Sequence, residues 1–130
     1  MATKILAIDD SKTIRMVIQG AFRTFDCDLS EAADGEEGLR LAAREKPDLI
    51  ILDIAMPVMD GVTMLGVLRR DPELRATPVI LLTAESSREN VTSMIRLGIS
   101  DHLSKPFKES ALLNSVRKIV QLREKAAQSA

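Results

Sequence analysis

Short apolar runs rich in β-branched residues alternate with longer stretches of helical period along the chain. The first run, Lys4 to Ile8, is followed by Ile14, Val17, Ile18, Ala21, Phe22 and Phe25. Their spacing of i, i+3, i+4, i+7, i+8 and i+11 makes one stripe on a helix. Asp28 to Ala32 predicts a second, weakly marked strand, and Asp34-Gly35 opens a short helix expected to bury Leu39, Ala42 and Ala43 before Pro47 ends the unit. After Asp48, Leu49-Ile50-Ile51-Leu52 is continuously apolar, as expected of a central parallel strand covered on both faces, and Asp53 stands at its carboxyl end. The loop Met56-Pro57-Val58-Met59-Asp60-Gly61, punctuated by Pro57 and Gly61, leads to a helix with Met64, Leu65 and Leu68 inward, closed by Asp71-Pro72. Pro78 introduces Val79-Ile80-Leu81-Leu82, with Thr83 at its end. Ser86 or Ser87 is placed to cap a helix running through Leu97, and Gly98 to terminate it. Ile99 to Leu103 predicts a short fifth strand. Lys105-Pro106 precedes a last helix carrying Leu112, Leu113, Val116, Ile119 and Val120, and after Leu122 the chain turns polar and is expected to fray.

Five such units predict an α/β fold, a doubly wound five-stranded parallel sheet with five helices, because right-handed crossovers lay successive helices on the sheet. The 130 residues, 45% hydrophobic and 28% charged, suit one domain with one core, expected over 1–125 with a frayed polar tail at 126–130. A chain of this size buries roughly two thirds of its unfolded surface, so neither a metal nor a disulfide is needed for stability, and the single Cys27 has no partner for one. Cys27 reads as an inert, partly buried thiol. Met56, Met59, Met64 and Met94 read as packing residues. A net charge of -1 lacks the basic excess of a nucleic-acid binder. Arg117, Lys118, Arg123 and Lys125, interrupted by Gln121 and Glu124, read as a solvated face of the last helix. The start of the chain has no signal-peptide h-region, and no stretch approaches the roughly 20 apolar residues of a membrane span. With the lone thiol, this predicts a cytoplasmic protein without membrane insertion.

In doubly wound sheets ligands sit beyond the carboxyl ends of the strands. The residues there are Asp9, Asp10, Asp53 and Thr83, with Lys105 just past the fifth strand. Taken singly they are ordinary. Asp is common where strands end, Asp10 or Ser11 is placed to cap the first helix, and a strand-end hydroxyl or a solvated lysine needs no function. Together they are a set: three carboxylates at one sheet edge repel one another and call for a cation. Magnesium fits, since it takes hard oxygen ligands, is held by one or two carboxylates and bridges to phosphate oxygens. With His102 the only histidine and Cys27 the only cysteine, the chain is poorly supplied for a soft or mixed nitrogen and sulfur site. Beside such a cation a phosphoryl group can approach Asp53, a competent nucleophile that would form an acyl phosphate. Lys105 would offset the phosphoryl charge and Thr83 would donate a hydrogen bond, so that catalysis consists of positioning and electrostatics, with no general base.

Ile8-Asp9-Asp10, Leu52-Asp53, Met56-Pro57-Val58-Met59-Asp60-Gly61, Leu82-Thr83-Ala84 and Lys105-Pro106-Phe107 resemble the receiver domain of two-component response regulators, over nearly the whole chain. Each motif alone is weak; five in order, each at the end of its strand, carry the resemblance. It implies the flavodoxin-like strand order 2-1-3-4-5 and Asp53 as phosphoacceptor. It also implies magnesium held by Asp9, Asp10, Asp53 and the backbone carbonyl of Ala55, with Thr83 and Lys105 contacting the phosphoryl group. The Lys105–Pro106 peptide is implied to be cis, which X-Pro bonds adopt cheaply. His102 occupies a place where receivers often carry Tyr or Phe as a rotamer switch coupled to Thr83, and a histidine there would add pH dependence near neutrality. Ala55 and Glu85 occupy positions that tune the phosphoryl lifetime in such proteins.

The function implied is that of a CheY-like, single-domain phosphorylation switch rather than a classical enzyme. It would take its phosphoryl group from a histidine kinase or phosphotransfer protein, promote only its own phosphorylation and dephosphorylation, and signal to a downstream target protein as a monomer or weak dimer. The last helix is expected to end within the chain, so no output domain is expected. Two enzyme or carrier readings fail on particular residues. A haloacid dehalogenase-type phosphatase needs Asp-x-Asp, but Ser11 follows Asp9 and Ala55 follows Asp53 at that spacing. A flavodoxin-like electron carrier needs a phosphate-cradling loop after strand one, where Asp9-Asp10 would repel the phosphate. A docking module that is never phosphorylated is the remaining alternative, and intact Asp53, Thr83 and Lys105 argue against it.

Overall fold

The computed structural model describes residues 3–84 and 88–125. Ten elements alternate along it: β1 (Thr3–Ile8), α1 (Lys12–Phe22), β2 (Cys27–Ala32), α2 (Gly35–Glu45), β3 (Leu49–Asp53), α3 (Gly61–Arg70), β4 (Val79–Thr83), α4 (Arg88–Leu97), β5 (Asp101–Ser104) and α5 (Glu109–Arg117). The strands form one parallel sheet in the order β2-β1-β3-β4-β5, the doubly wound architecture the alternation predicts. Of the predicted caps, Ser11 holds α1, its hydroxyl accepting from the Ile14 N–H at 3.3 Å. Asp34 and Asp60 do the same for α2 and α3 at 2.9 and 2.8 Å. The cap expected at Ser86 or Ser87, Glu85, and the 126–130 tail lie outside the described residues.

The apolar strands are read two ways by the sheet, because successive side chains point to opposite faces. Leu6, Ile8, Ile50, Leu52, Val79 and Leu81 pack under α2, α3 and α4 with Met64, Leu65, Leu68 and Met94. Ile5, Ala7, Leu49, Ile51, Ile80 and Leu82 pack under α1 and α5 with Ile18, Phe22, Leu112 and Val116. The single core expected is thus two apolar layers divided by the sheet. α2 lies close through small residues: Gly35, Gly38 and Ala42 are buried and Leu39 is half-buried. Ala43, expected inward, is exposed, because it lies about 100° round the helix from Ala42 and a lone methyl does not force burial.

Element ends differ from expectation in ways that hydrogen bonds explain. β5 begins at Asp101, not Ile99, after Gly98 at φ 94° closes α4 by donating to Met94 and Ile95. Phe25 is buried as its spacing suggested, but beyond the end of α1. α5 ends at Arg117, and Ile119 and Val120 pack from a following turn. The residues just after Leu122 do not fray. Phe25 forms an antiparallel bridge with Glu124, the Asp26 N–H donates to the Arg123 carbonyl at 2.7 Å, and the Lys125 N–H to the Thr24 carbonyl at 2.9 Å. The basic residues Arg117, Lys118, Arg123 and Lys125 are all exposed, as expected, but not as one helix face: Arg117 ends α5 and stacks over the Phe25 ring at 5.3 Å, while Arg123 and Lys125 belong to this strap.

Candidate functional site

Parallel strands all end on one side of the sheet, so the fold itself gathers the strand-end residues. Asp9 follows β1, Asp53 closes β3, Thr83 closes β4 and Lys105 follows β5. Among the described residues, Asp9, Asp10 and Asp53 form an acidic group, with one carboxylate oxygen of each lying within 4.8 Å of the others. Asp9 and Asp53 are buried, whereas Asp10 is exposed. Lys105 reaches between the two buried acids, its Nζ 2.7 Å from Asp9 Oδ2 and 3.1 Å from Asp53 Oδ1. The Lys105–Pro106 peptide is cis, as expected. Gly61, the first residue of α3, lets the backbone close behind Asp53: its N–H donates to the Ile54 carbonyl at 2.8 Å, and a Cβ there would lie 2.3 Å from the Asp53 carbonyl oxygen.

The electrostatics are under tension. Burial pushes the Asp53 carboxyl up, the neighbouring charge of Asp9 adds to this, and Asp10 adds less, while Lys105 pulls it down without prevailing; the outcome is about 6. Lys105 must serve two carboxylates. Burial disfavours its ammonium, but the hydrogen bond to Asp9 and the charges of Asp53 and Asp9 outweigh that and hold its pKa above the ordinary value. Apart from this ion pair, the buried Asp9 Oδ2 accepts no hydrogen bond. A buried carboxylate oxygen met only by an ammonium that it shares with a second acid, beside two further carboxylates, suits a hard divalent cation.

Thr83 is in place at the end of β4, but its hydroxyl donates to the Leu103 carbonyl at 3.3 Å, toward β5 rather than the acids. His102 is exposed on β5, paired in register with Leu81. Its N–H donates to Asp101 Oδ1 at 2.8 Å, and the same carboxylate accepts from the Ser115 hydroxyl at 2.5 Å. That hydroxyl first, and the His102 N–H, hold Asp101 below the ordinary carboxylate range against the effect of burial. Ala55 is exposed in the loop after β3. Val58, in the same loop, adopts φ 67°, and the Met59 N–H closes the turn on the Pro57 carbonyl at 2.7 Å. A β-branched residue there is strained, and its side chain is exposed. Sequence reading missed this, and it also missed Arg15, which donates to the Asp9 carbonyl at 2.6 Å.

The family model for the response regulator receiver domain matches residues 5–117. The chain belongs to the response regulator receiver family. Among curated relatives, the response regulator PleD of Caulobacter vibrioides is 35% identical over 95% of this chain and 27% of its own length. The chain spans about half the length, or less, of the first curated relatives it matches. Two solved receivers are close in structure. The chemotaxis response regulator CheY4 of Vibrio cholerae is 32% identical with a TM-score of 0.84, covering 92% of this chain and 100% of its own. The receiver domain of sensor histidine kinase PA1611 from Pseudomonas aeruginosa is 28% identical with a TM-score of 0.82, covering 92% of this chain and 98% of its own. That structure has a magnesium ion coordinated in its active-site cleft. Receivers are signalling phosphoacceptors rather than classical enzymes, they bind magnesium at an acidic site, and they act between histidine kinases and effectors. Among the described residues, no helix is long and apolar enough to cross a membrane.

Proposed function

We propose that this receiver is a magnesium-dependent phosphorylation switch whose phosphoacceptor is Asp53. The observation that carries the reading is the bridging of Asp9 and Asp53 by one lysine, at 2.7 and 3.1 Å, beside a third carboxylate. The Asp53 carboxylate attacks the phosphorus of a phosphohistidine on a histidine kinase or phosphotransfer protein. An oxygen–phosphorus bond forms, the phosphorus–nitrogen bond breaks, and the electron pair leaves on the imidazole nitrogen. At pH 7 a carboxyl with a pKa of about 6 is mostly ionised, so no base is needed. Asp9, Asp10, Asp53 and the Ala55 carbonyl would hold the magnesium, which when bound supplies positive charge to the phosphoryl oxygens. Lys105 exchanges a carboxylate contact for a phosphoryl oxygen, and Thr83 turns its hydroxyl from Leu103 toward the phosphoryl group, with His102 as its coupled switch.

A single-domain, cytoplasmic regulator acting on a protein target, as a monomer or weak dimer, is the most economical setting. A net charge of -1, without the basic excess of a nucleic-acid binder, supports a protein target. The test is intact mass after incubation with acetyl phosphate, with and without magnesium, for the native chain and Asp53→Asn. A magnesium-dependent, hydroxylamine-sensitive gain of one phosphoryl group, absent from the variant, is expected. A folded protein that takes no phosphoryl group from acetyl phosphate or from a phosphohistidine donor would overturn the reading in favour of an unphosphorylated docking module.

A further inference from the structure

Asp9 has a partner for every polar group. Its N–H donates to the Ala32 carbonyl at 3.1 Å, Oδ1 accepts from the Ser11 N–H at 2.8 Å, and Oδ2 pairs with Lys105. Its carbonyl accepts from Arg15 Nη1 at 2.6 Å, a contact that phosphoryl transfer does not use. Arg15 lies in the first turn of α1, largely buried, and its Nε meets Glu31 Oε1 at 3.1 Å. Glu31 also accepts from Gln19. The last two residues of β2 therefore both hold Asp9: Ala32 directly, and Glu31 through Arg15.

We propose that Arg15, clamped by Glu31, is a positioning residue that sets the divalent-cation affinity of the acidic cluster by fixing the peptide plane between Asp9 and Asp10. The inference rests on the reading that these two acids hold the cation. The Asp9 carbonyl belongs to the planar unit joining the two residues, so holding its oxygen fixes the direction in which Asp10 departs. Asp10 needs this, because it is exposed and, among the described residues, its side chain makes no hydrogen bond or ion pair. An arginine suits the task, since its planar fork makes two contacts at a fixed angle where a lysine makes one. Its charge is matched by Glu31 rather than by the cluster, which keeps its negative field for the cation.

Partners one step removed from a metal ligand change affinity by about 10- to 100-fold when removed. The experiment is a calorimetric magnesium titration of the native chain, Arg15→Ala, Arg15→Lys and Gln19→Ala, the last touching Glu31 but not Asp9. Alongside it, amide hydrogen exchange of Asp10 and Ser11 is measured in the metal-free proteins. Arg15→Ala is expected to raise Kd about tenfold and to speed exchange at Ser11, whose N–H donates to Asp9 Oδ1 at 2.8 Å, while Asp10, whose N–H has no acceptor among the described residues, serves as the unprotected reference. Arg15→Lys is expected to raise Kd by a smaller factor, and Gln19→Ala to leave it within about twofold. Faster exchange confined to Ser11 separates positioning from general destabilisation, and Arg15→Lys answers should the alanine variant not fold. A native chain that binds magnesium with both Arg15 variants within about twofold of it overturns this inference alone. A native chain that takes up no magnesium overturns the functional reading and the inference together.

Discussion

Replacing Asp53 by asparagine should stabilise the metal-free protein at neutral pH, and the gain should vanish in acid. The residue is 4% exposed and faces Asp9 with Lys105 shared between them, so its ionised form is disfavoured by the fold. A carboxyl whose pKa rises from its ordinary 3.8 to about 6 on folding forfeits at most about 3 kcal/mol of stability once fully ionised. The sign follows from proton binding: the folded state binds the proton more tightly, so stability is highest below the unfolded pKa and falls as pH rises through the folded one. Asparagine keeps the shape and removes the charge, but it also removes one partner of Lys105, and solvent at the cleft screens part of the repulsion. About 1–2 kcal/mol of net gain at pH 7.5 is therefore expected, shrinking toward zero by pH 4.

The assay is urea unfolding with EDTA, followed by far-UV circular dichroism because the chain has no Trp or Tyr. Groups away from the cleft titrate in both proteins and cancel in the difference. Adding magnesium should then favour the native chain by mass action on its folded state and narrow or reverse the gap. A variant no more stable than the native chain at pH 7.5 without metal would refute the reasoning. So would a gain of equal size at pH 4 and 7.5, which would show that the charge was never the cause.

Lys105→Met leaves the two buried carboxylates facing each other without a counter-charge, so the Asp53 pKa should move further above 6, as carbon-13 NMR of the side-chain carboxyl would read. Gly61→Ala places a Cβ 2.3 Å from the Asp53 carbonyl oxygen, and overpacking against backbone should cost about 3 kcal/mol or more by urea unfolding. Arg69→Ala removes a guanidinium that donates to the carbonyls of Arg75, Thr77, Leu97 and Gly98 at 2.8 to 3.2 Å. About 2–4 kcal/mol of stability should be lost, with acetyl phosphate labelling of Asp53 retained.

What the sequence showed of the site was the part written along strands. Leu49 to Leu52 is apolar because both faces are covered, and the place where that run stops is where Asp53 meets the cleft. The same logic located Asp9, Thr83 and Lys105. What it hid lay across elements. Arg15 falls on the polar side of the α1 stripe, where it looks like any solvated arginine, and its partner Glu31 sits sixteen residues on, in a strand with little apolar signature. Arg69 likewise reads as a helix-end charge, although it ties α3 to the end of α4. The strap at Arg123 to Lys125 is polar in side chain and held by backbone groups, to which hydropathy is blind.

One contact hidden from the sequence, that of Arg15 with the Asp9 carbonyl, completes the resolution of a conflict in the site. A cleft that binds a cation must keep three carboxylates close, yet the more closely they are held the more their repulsion opposes folding. Lys105 relieves this where it can reach, at Asp9 and Asp53. It makes no ion pair with Asp10, which stays in solvent, where its charge is cheap to keep but its direction is not fixed by any side-chain contact. Placement of Asp10 then falls to the backbone, and the backbone is gripped by Arg15 from α1 and by Ala32 from β2. Weakening that grip should leave the ion pairs of Lys105 untouched while loosening Asp10. The separation runs one way: substitutions at Arg15 should move the magnesium affinity and leave the Asp53 pKa in place, whereas substitutions at Lys105, which touches two of the acids proposed to hold the cation, should move both.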